Sequence, residues 1–449
     1  MEATVKLTPL QKKAWLLSAG GVALDGFDLF IMGVALPLLL DQFRGYPAWI
    51  TGLIASAAIV GAIFGALFGG LLTDHFGRKR LYTWDLVGFV VFAVLSAFSW
   101  SVWALIFFRF MLGIAVGADY PIAASFSAEY LPSKVRGRWL VAGFSFQAIG
   151  MLMGALVGVI LLELHPVDDT WRLMLAIGAL PALVIMWFRR SVPETPAWQA
   201  READPDPEPS ARLSELFRRV NLRRTTLCAG AWFLMDVMMY GIGLFTPMLL
   251  ASMHFADHAG WNFIQEDIGD TMGTAALDLL LVVGFVIAIL LVDRVGRLPL
   301  QKAGFLGCAA GLIILGVAST IDPANPPMAL VILGFALFNL MINAGPNSTT
   351  FLIPAEVYPT RLRATGHGFA ASMGKSGAAL GVFVLPILEG AWGTAVMVFV
   401  MAGVGLLGLA LTQLFGVETR GADITESTAQ GFPTGLAVEA PVDAPVGPA

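Results

Sequence analysis

Charge is what this sequence has least of. Asp, Glu, Lys and Arg make up 13% of its 449 residues, where a soluble domain carries roughly 25%. A chain so poor in charge cannot cover a water-facing surface, which excludes the soluble domains its length alone would allow. Cysteine is nearly absent: Cys228 and Cys308 both lie in apolar runs and exclude a disulfide framework or a cysteine-rich metal site. The histidines (His75, His165, His254, His258 and His367) show no zinc spacing, so no metal or other cofactor is expected. A net charge of −5 offers no basic face for nucleic acid. Gly368 to Ser376 ends in Gly-Lys-Ser, but five residues rather than four lie between its glycines, and no strand precedes it. It is not a nucleotide-gripping loop. No catalytic constellation is present, and an enzyme is not expected.

What the sequence has is 57% apolar residues, gathered in recurring runs of about 20, the length of a membrane-spanning helix. The first run, with Asp25 and Asp28 inside it, is too long for a cleaved signal. The pattern predicts an all-α membrane protein with twelve spans, at 14–40, 49–73, 81–99, 101–127, 137–163, 171–190, 225–252, 271–293, 298–319, 326–352, 365–388 and 391–415. Residues 1–190 and 225–415 then form two six-helix bundles. A polar, Pro-interrupted linker (191–224) joins them, and 416–449 is a tail whose last part, Pro/Ala/Gly-rich and acidic, is expected to be disordered. Lys and Arg cluster in alternate loops and in the linker, which predicts that both termini are cytoplasmic. Asn347-Ser348-Thr349 matches a glycosylation acceptor but falls inside a span.

The halves repeat one another. Asp74-His75-Phe76-Gly77-Arg78 after the second span matches Asp293-Arg294-Val295-Gly296-Arg297 after the eighth. Glu129 to Arg136 after the fourth matches Glu356 to Arg363 after the tenth. A duplicated six-helix unit is the form of a rocking carrier with its site between the bundles. Asp74, Arg78, Asp293 and Arg297 suit helix capping and closing ion pairs; Arg136, Arg361 and Arg363 can pair with Glu129 and Glu356. Glycines four apart, Gly61, Gly65 and Gly69 and again Gly150, Gly154 and Gly158, read as close helix packing.

An ionisable group at mid-membrane costs about 2.5–3.5 kcal/mol on insertion scales, so each needs a reason. Asp25 and Asp28 share a face of the first span. Arg109, Gly113 and Gly117 form a stripe in the fourth, followed by Asp119 and Tyr120. Trp232, Asp236 and Tyr240 make a polar-aromatic stripe in the seventh, and Lys375 stands alone in the eleventh. Asp85 and Asp278 also fall in spans, with no role evident. With no nucleotide motif, transport is expected to run on an ion gradient, and embedded carboxylates suit protons.

The paired loops resemble those of the major facilitator superfamily over nearly the whole chain, and Pro193-Glu194-Thr195-Pro196 is similar to a signature of its sugar-porter-like branch. Gly117-Ala118-Asp119-Tyr120-Pro121, Trp232 to Asp236, Gly345-Pro346-Asn347-Ser348-Thr349-Thr350-Phe351 and Gly374-Lys375 resemble the phosphate:proton symporter family within it. Ala118 stands where Gly is usual, and the linker is short beside fungal members. The resemblance implies the two pseudo-symmetric six-helix bundles of the major facilitator fold. It implies Tyr120, Gln147, Trp232, Asp236, Tyr240 and Asn347 as phosphate contacts, with Lys375 as a charge partner. Asp25, Asp28 and Asp119, with Asp236, are implied as proton-coupling carboxyls. Partners would be phosphate, protons and the lipid bilayer of the plasma (inner) membrane, with a monomer sufficient. A symporter of an aromatic acid or sugar is the alternative, since aromatic-acid carriers share Asp25-Gly26-Phe27-Asp28; a non-transporting nutrient sensor is a further one.

Overall fold

The computed structural model of the protein describes residues 7–43, 46–76, 78–131, 136–167, 169–194, 199, 212–252, 263–321, 326–358 and 360–420. The side chains of Asp74, Arg78, Glu129, Arg136, Arg361 and Arg363 lie outside the described set, and with them the ion pairs expected there. The end of the tail, from 421, is also outside it.

The described chain is helical. The first bundle holds α1 (Pro9–Gln42), α2 (Ala48–Phe76), α3 (Arg78–Ala97) and α4 (Val102–Tyr130). Then come α5, in two pieces (Arg136–Phe144 and Phe146–Leu164), and α6, also in two (Thr170–Ile177 and Ala179–Arg189). The second bundle holds α7 (Arg219–Leu244 and Thr246–Ser252), α8 (Phe263–Val295), α9 (Arg297–Ile321) and α10 (Met328–Ala344 and Pro346–Val357). The last stretch, Thr360–Phe415, turns at Gly393 into α11 and α12; φ is 79° there, a value that glycine tolerates and L side chains rarely adopt. Eleven of the described helical stretches are long and apolar enough to cross a membrane, the last of them holding both α11 and α12.

The outward faces are apolar, with Phe64, Trp84, Trp187 and Leu290 exposed, as lipid requires. Helices run past the hydrocarbon at their ends. α1 begins at Pro9, where Thr8 caps it through Gln11 in a reciprocal capping box. α7 begins at Arg219, inside the stretch read as linker, after a 3₁₀ turn at Leu213–Phe217. α10 breaks at Gly345 because Pro346 has no N–H to continue the ladder.

The glycine rows work as packing surfaces. A Cβ on Gly113 would lie 1.8 Å from the Ala58 carbonyl oxygen, and one on Gly61 2.0 Å from that of Phe110, so α2 and α4 touch backbone to backbone. Gly150 does the same between α5 and α1, at 2.0 Å from the Ala23 oxygen. Between bundles, α2 packs on α11 and α5 on α8, two contacts related by the repeat.

At the end where the linker joins, Arg297 forks onto both oxygens of Glu356 (2.9 and 3.0 Å) and also pairs with Asp293 at 3.0 Å. Glu356 is therefore held by Arg297, the partner from the repeated Asp-x-x-Gly-Arg loop. Glu418 accepts from the backbone N–H of Arg297 and Leu298 (both 3.0 Å), capping α9. Glu194 does the same at Lys79 (3.0 Å), at the start of α3. Glu194 and Glu418, following α6 and α12, are thus repeat-related caps.

Candidate substrate site

Five helices from both bundles deliver polar groups to one point. Asp25 (α1), Tyr120 (α4), Gln147 (α5), Tyr240 (α7) and Lys375 (α11) are all at most 6% exposed. The Tyr120 hydroxyl donates to Asp25 Oδ2. Lys375 Nζ donates to the same oxygen at 3.3 Å, to Tyr120 at 3.3 Å and to Tyr240 at 3.0 Å. Its ammonium sits over both tyrosine rings, 4.3 and 4.7 Å from their centres, a cation–π cradle. Gln147 Nε2 reaches Tyr240 at 2.7 Å and Tyr120 at 3.0 Å. Gln147 Oε1 is buried with no hydrogen-bond partner. The Asp25–Lys375 ion pair therefore ties the two bundles together at their centre.

Of the residues expected here, Asp236 is buried on the same face of α7 and interacts electrostatically with Lys375 and Asp25. Trp232 lies one turn toward the linker end. Its indole packs on the backbone of Gly374, where a Cβ would come within 2.3 Å, and its ring meets Phe351 and His367 edge-on. Phe144 stacks on Phe351 with centroids 4.3 Å apart, which covers the site on that side. On the other side Gly33 and Gly243 let α1 and α7 meet closely: a Cβ on Gly33 would lie 2.5 Å from the Leu244 oxygen.

Three expected residues stand apart from the cluster. Asn347, just past the α10 break, donates to Asn343 Oδ1 at 2.7 Å. Asp28 pairs with Arg109 at 2.8 Å, both almost wholly buried, within the first bundle. Asp119 pairs with Arg189 at 3.0 Å. Asp85 is brought to the same Arg189, at 3.3 Å. Nothing local in the sequence marks Arg189: it closes α6 beside Arg190, like an ordinary basic helix end. Asp278 is buried in α8 with one oxygen unpartnered.

Chemically the cluster can hold a small oxyanion: a cation, two phenols and an amide donate, and an orphaned amide oxygen accepts. Among the described residues no cluster suited to a metal ion occurs.

The Major Facilitator Superfamily model matches residues 19–382. A protein of Arabidopsis thaliana named "Probable inorganic phosphate transporter 1-6" is 30% identical, with 94% of each chain covered. "Inorganic phosphate transporter 1-2" of Oryza sativa subsp. japonica is 29% identical, with 92% of each covered. Escherichia coli (strain K12) YaaU, named for metabolite transport, is 27% identical over 94% of this chain and 96% of that one. Among solved structures, a partially occluded inward-open form of the xylose transporter XylE from E. coli superposes with a TM-score of 0.76 at 19% identity, covering 93% of this chain and 100% of the other. This chain belongs to the major facilitator superfamily, and is a multi-pass membrane transporter of that fold.

Proposed function

We propose that the chain takes up inorganic phosphate together with protons by alternating access across the plasma (inner) membrane, with both termini in the cytoplasm. The observation that carries this reading is the buried Asp25–Lys375 pair inside a ring of neutral donors. The names of the plant relatives support the substrate.

The geometry supplies a mechanism. Without solute, Lys375 is neutralised by Asp25. A phosphate that takes the ammonium, the Tyr120 and Tyr240 hydroxyls and the Gln147 amide must displace Asp25. A carboxylate stripped of its cation in a dry site favours its neutral form. Asp25 then takes up a proton, and so anion and proton enter together, which is thermodynamic coupling. Asp236 beside the same ammonium follows the same logic, neutral when the anion is bound or accepting from a protonated phosphate. Gln147 Oε1, otherwise orphaned, accepts the O–H of that phosphate. Trp232 offers its indole N–H, and Asn347 joins as α10 swings about its break at Gly345. Asp28 and Asp119 hold charge within the first bundle as it rocks. Asp293, Arg297 and Glu356 latch the cytoplasmic face, and the repeated loops with Asp74, Arg78, Glu129, Arg136 and Arg361 serve the same end.

Uptake of labelled phosphate into proteoliposomes tests this. It should rise with an inward proton gradient, collapse with a protonophore and be blocked by unlabelled phosphate. Uptake that follows sodium instead would sink proton coupling. A second reading, proton symport of an organic solute, is favoured by the likeness to a xylose transporter and to YaaU. Competition by sugars or benzoates but not by phosphate would select it.

A further inference from the structure

The linker ends in a basic piece that transport through the central site leaves without a task. Five arginines, Arg212, Arg218, Arg219, Arg223 and Arg224, stand there against one acid, Glu215. The piece is firmly folded. Leu216 is wholly buried, the Asn221 side-chain amide donates to the Glu215 carbonyl oxygen at 3.1 Å, and the Thr225 hydroxyl donates to that of Leu216 at 2.9 Å. Phe217 meets Phe369 of α11 edge-on, with centroids 5.4 Å apart. Arg223 donates to the carbonyl oxygens of Phe415 and Gly416, at 3.3 and 2.9 Å, and so ties the start of α7 to the end of α12. The 3₁₀ turn and the first turn of α7 therefore present a fixed set of outward groups. Arg212, Arg218 and Arg219 are exposed, and none of them has an ion-pair partner among the described residues. Leu213, Phe217, Val220 and Leu222 stand between them, 45–64% exposed.

The patch lies where the lipid-facing surface of α12 ends. Leu407 and Leu414 are 60% and 71% exposed, and the carbonyls that Arg223 holds belong to the two residues after Leu414. Arg219 stands four residues before Arg223, about 6 Å further along the helix axis, and so beyond the edge of the hydrocarbon. Arginines set among bulky apolar side chains at that depth suit the headgroup boundary and attract negative lipid. The chain's own acids are the competing occupant. Glu202, Asp204, Asp206 and Glu208 match the charge, but only alanine and proline lie between them, and these cannot cover Leu213, Phe217, Val220 and Leu222. We propose that the patch is a binding site for an anionic phospholipid. Arg212, Arg218 and Arg219 take its phosphate, to whose oxygens guanidinium groups are well matched, and its acyl chains lie along Val220, Leu222 and Leu414. A zwitterionic lipid carries its own cation beside the phosphate and gains less. The site adjoins the closing network, since Arg223 holds Gly416, two residues before the Glu418 that caps α9. The proposal stands whatever solute the chain carries.

Native mass spectra of the full chain in detergent, titrated with phosphatidylglycerol or with phosphatidylcholine, test this. The wild type should hold phosphatidylglycerol about tenfold or more tighter than phosphatidylcholine. Each arginine near a charged headgroup contributes about fivefold in binding, so the variant Arg212→Gln/Arg218→Gln/Arg219→Gln should weaken phosphatidylglycerol about a hundredfold. Its binding of phosphatidylcholine should hardly change, which shows that the fold is intact. If that variant fails to fold, Arg219→Gln alone should still cost about fivefold, and no change there overturns the proposal. Lys12→Gln/Arg138→Gln removes two cations at the same end of the first bundle and should alter the preference by less than about threefold. No preference in the wild type, or as large a loss in this control as in the triple variant, would overturn the site. Release of bound phosphatidylglycerol by millimolar inorganic phosphate would overturn it in favour of a soluble anion. Binding of phosphatidylglycerol that emerges only after Glu202, Asp204, Asp206 and Glu208 are replaced by their amides would assign the patch to the linker's own acids, and would overturn it too.

Discussion

Replacing Lys375 by Met removes the charge at the centre of the account while keeping an unbranched, flexible side chain of similar reach. The ammonium makes three hydrogen bonds and two contacts over tyrosine rings, and spans the two bundles. In the bound state it is the one fully charged donor to the anion. A hydrogen bond to a charged group contributes about 1.5–3 kcal/mol, so Lys375→Met should weaken phosphate binding about 10- to 150-fold. Folding should survive, because Asp25 keeps its bonds from Tyr120 and Gln147 and can take up a proton. Equilibrium binding of labelled phosphate to the purified protein reads the effect. The double variant Asp25→Asn/Lys375→Met separates two roles. If Lys375 serves only to neutralise Asp25, the double variant binds near wild type; if it also contacts phosphate, binding stays weak. Binding by Lys375→Met within about threefold of wild type, well below the loss expected for a charged contact, would refute the reasoning.

The Asp28–Arg109 pair should respond asymmetrically. Asp28→Leu strands a guanidinium that cannot shed its proton and should cost about 3–5 kcal/mol, whereas Arg109→Met leaves a carboxyl able to neutralise itself and should cost less; thermal unfolding in detergent compares them, and equal losses would count against the pairing. Gly113→Ala forces α2 and α4 apart at a backbone contact and should destabilise by about 1–3 kcal/mol, while Gly403→Ala, where nothing lies within 4 Å of an added Cβ, should be nearly silent in the same assay. Glu418→Ala removes the cap of α9 and should cost about 0.5–2 kcal/mol; it should also increase cysteine labelling at the linker end, and unchanged labelling would show that this cap does not hold that face closed.

The twelve spans were legible because run length is a local property that the bilayer imposes directly. Their ends were less so. α8 begins at Phe263 rather than near 271 because Gln265 and Glu266, too polar for the hydrocarbon, continue the helix beyond it. The apolar runs place the last turn at 389–390, a few residues before Gly393, since the helix hardly pauses there. The candidate cluster follows from family resemblance and could not have come from spacing alone: Asp25 and Lys375 are 350 residues apart and lie in different bundles. Asp25 and Asp28, three residues apart in one helix, nonetheless serve different partners, Lys375 in one bundle and Arg109 in the other. Asp85 was visible as a charge needing a reason, but its reason sits at the end of another helix. Glu418 falls in the stretch expected as a tail, yet it caps α9.

The central claim is that phosphate takes Lys375 from Asp25 and that Asp25 answers by binding a proton. Proton uptake measured while phosphate binds to the purified protein, in weakly buffered solution with a pH indicator, tests it without transport. The wild type should take up more protons per phosphate bound than Asp25→Asn, the difference approaching one. Equal proton uptake by the two proteins, with phosphate bound to both, would contradict the account.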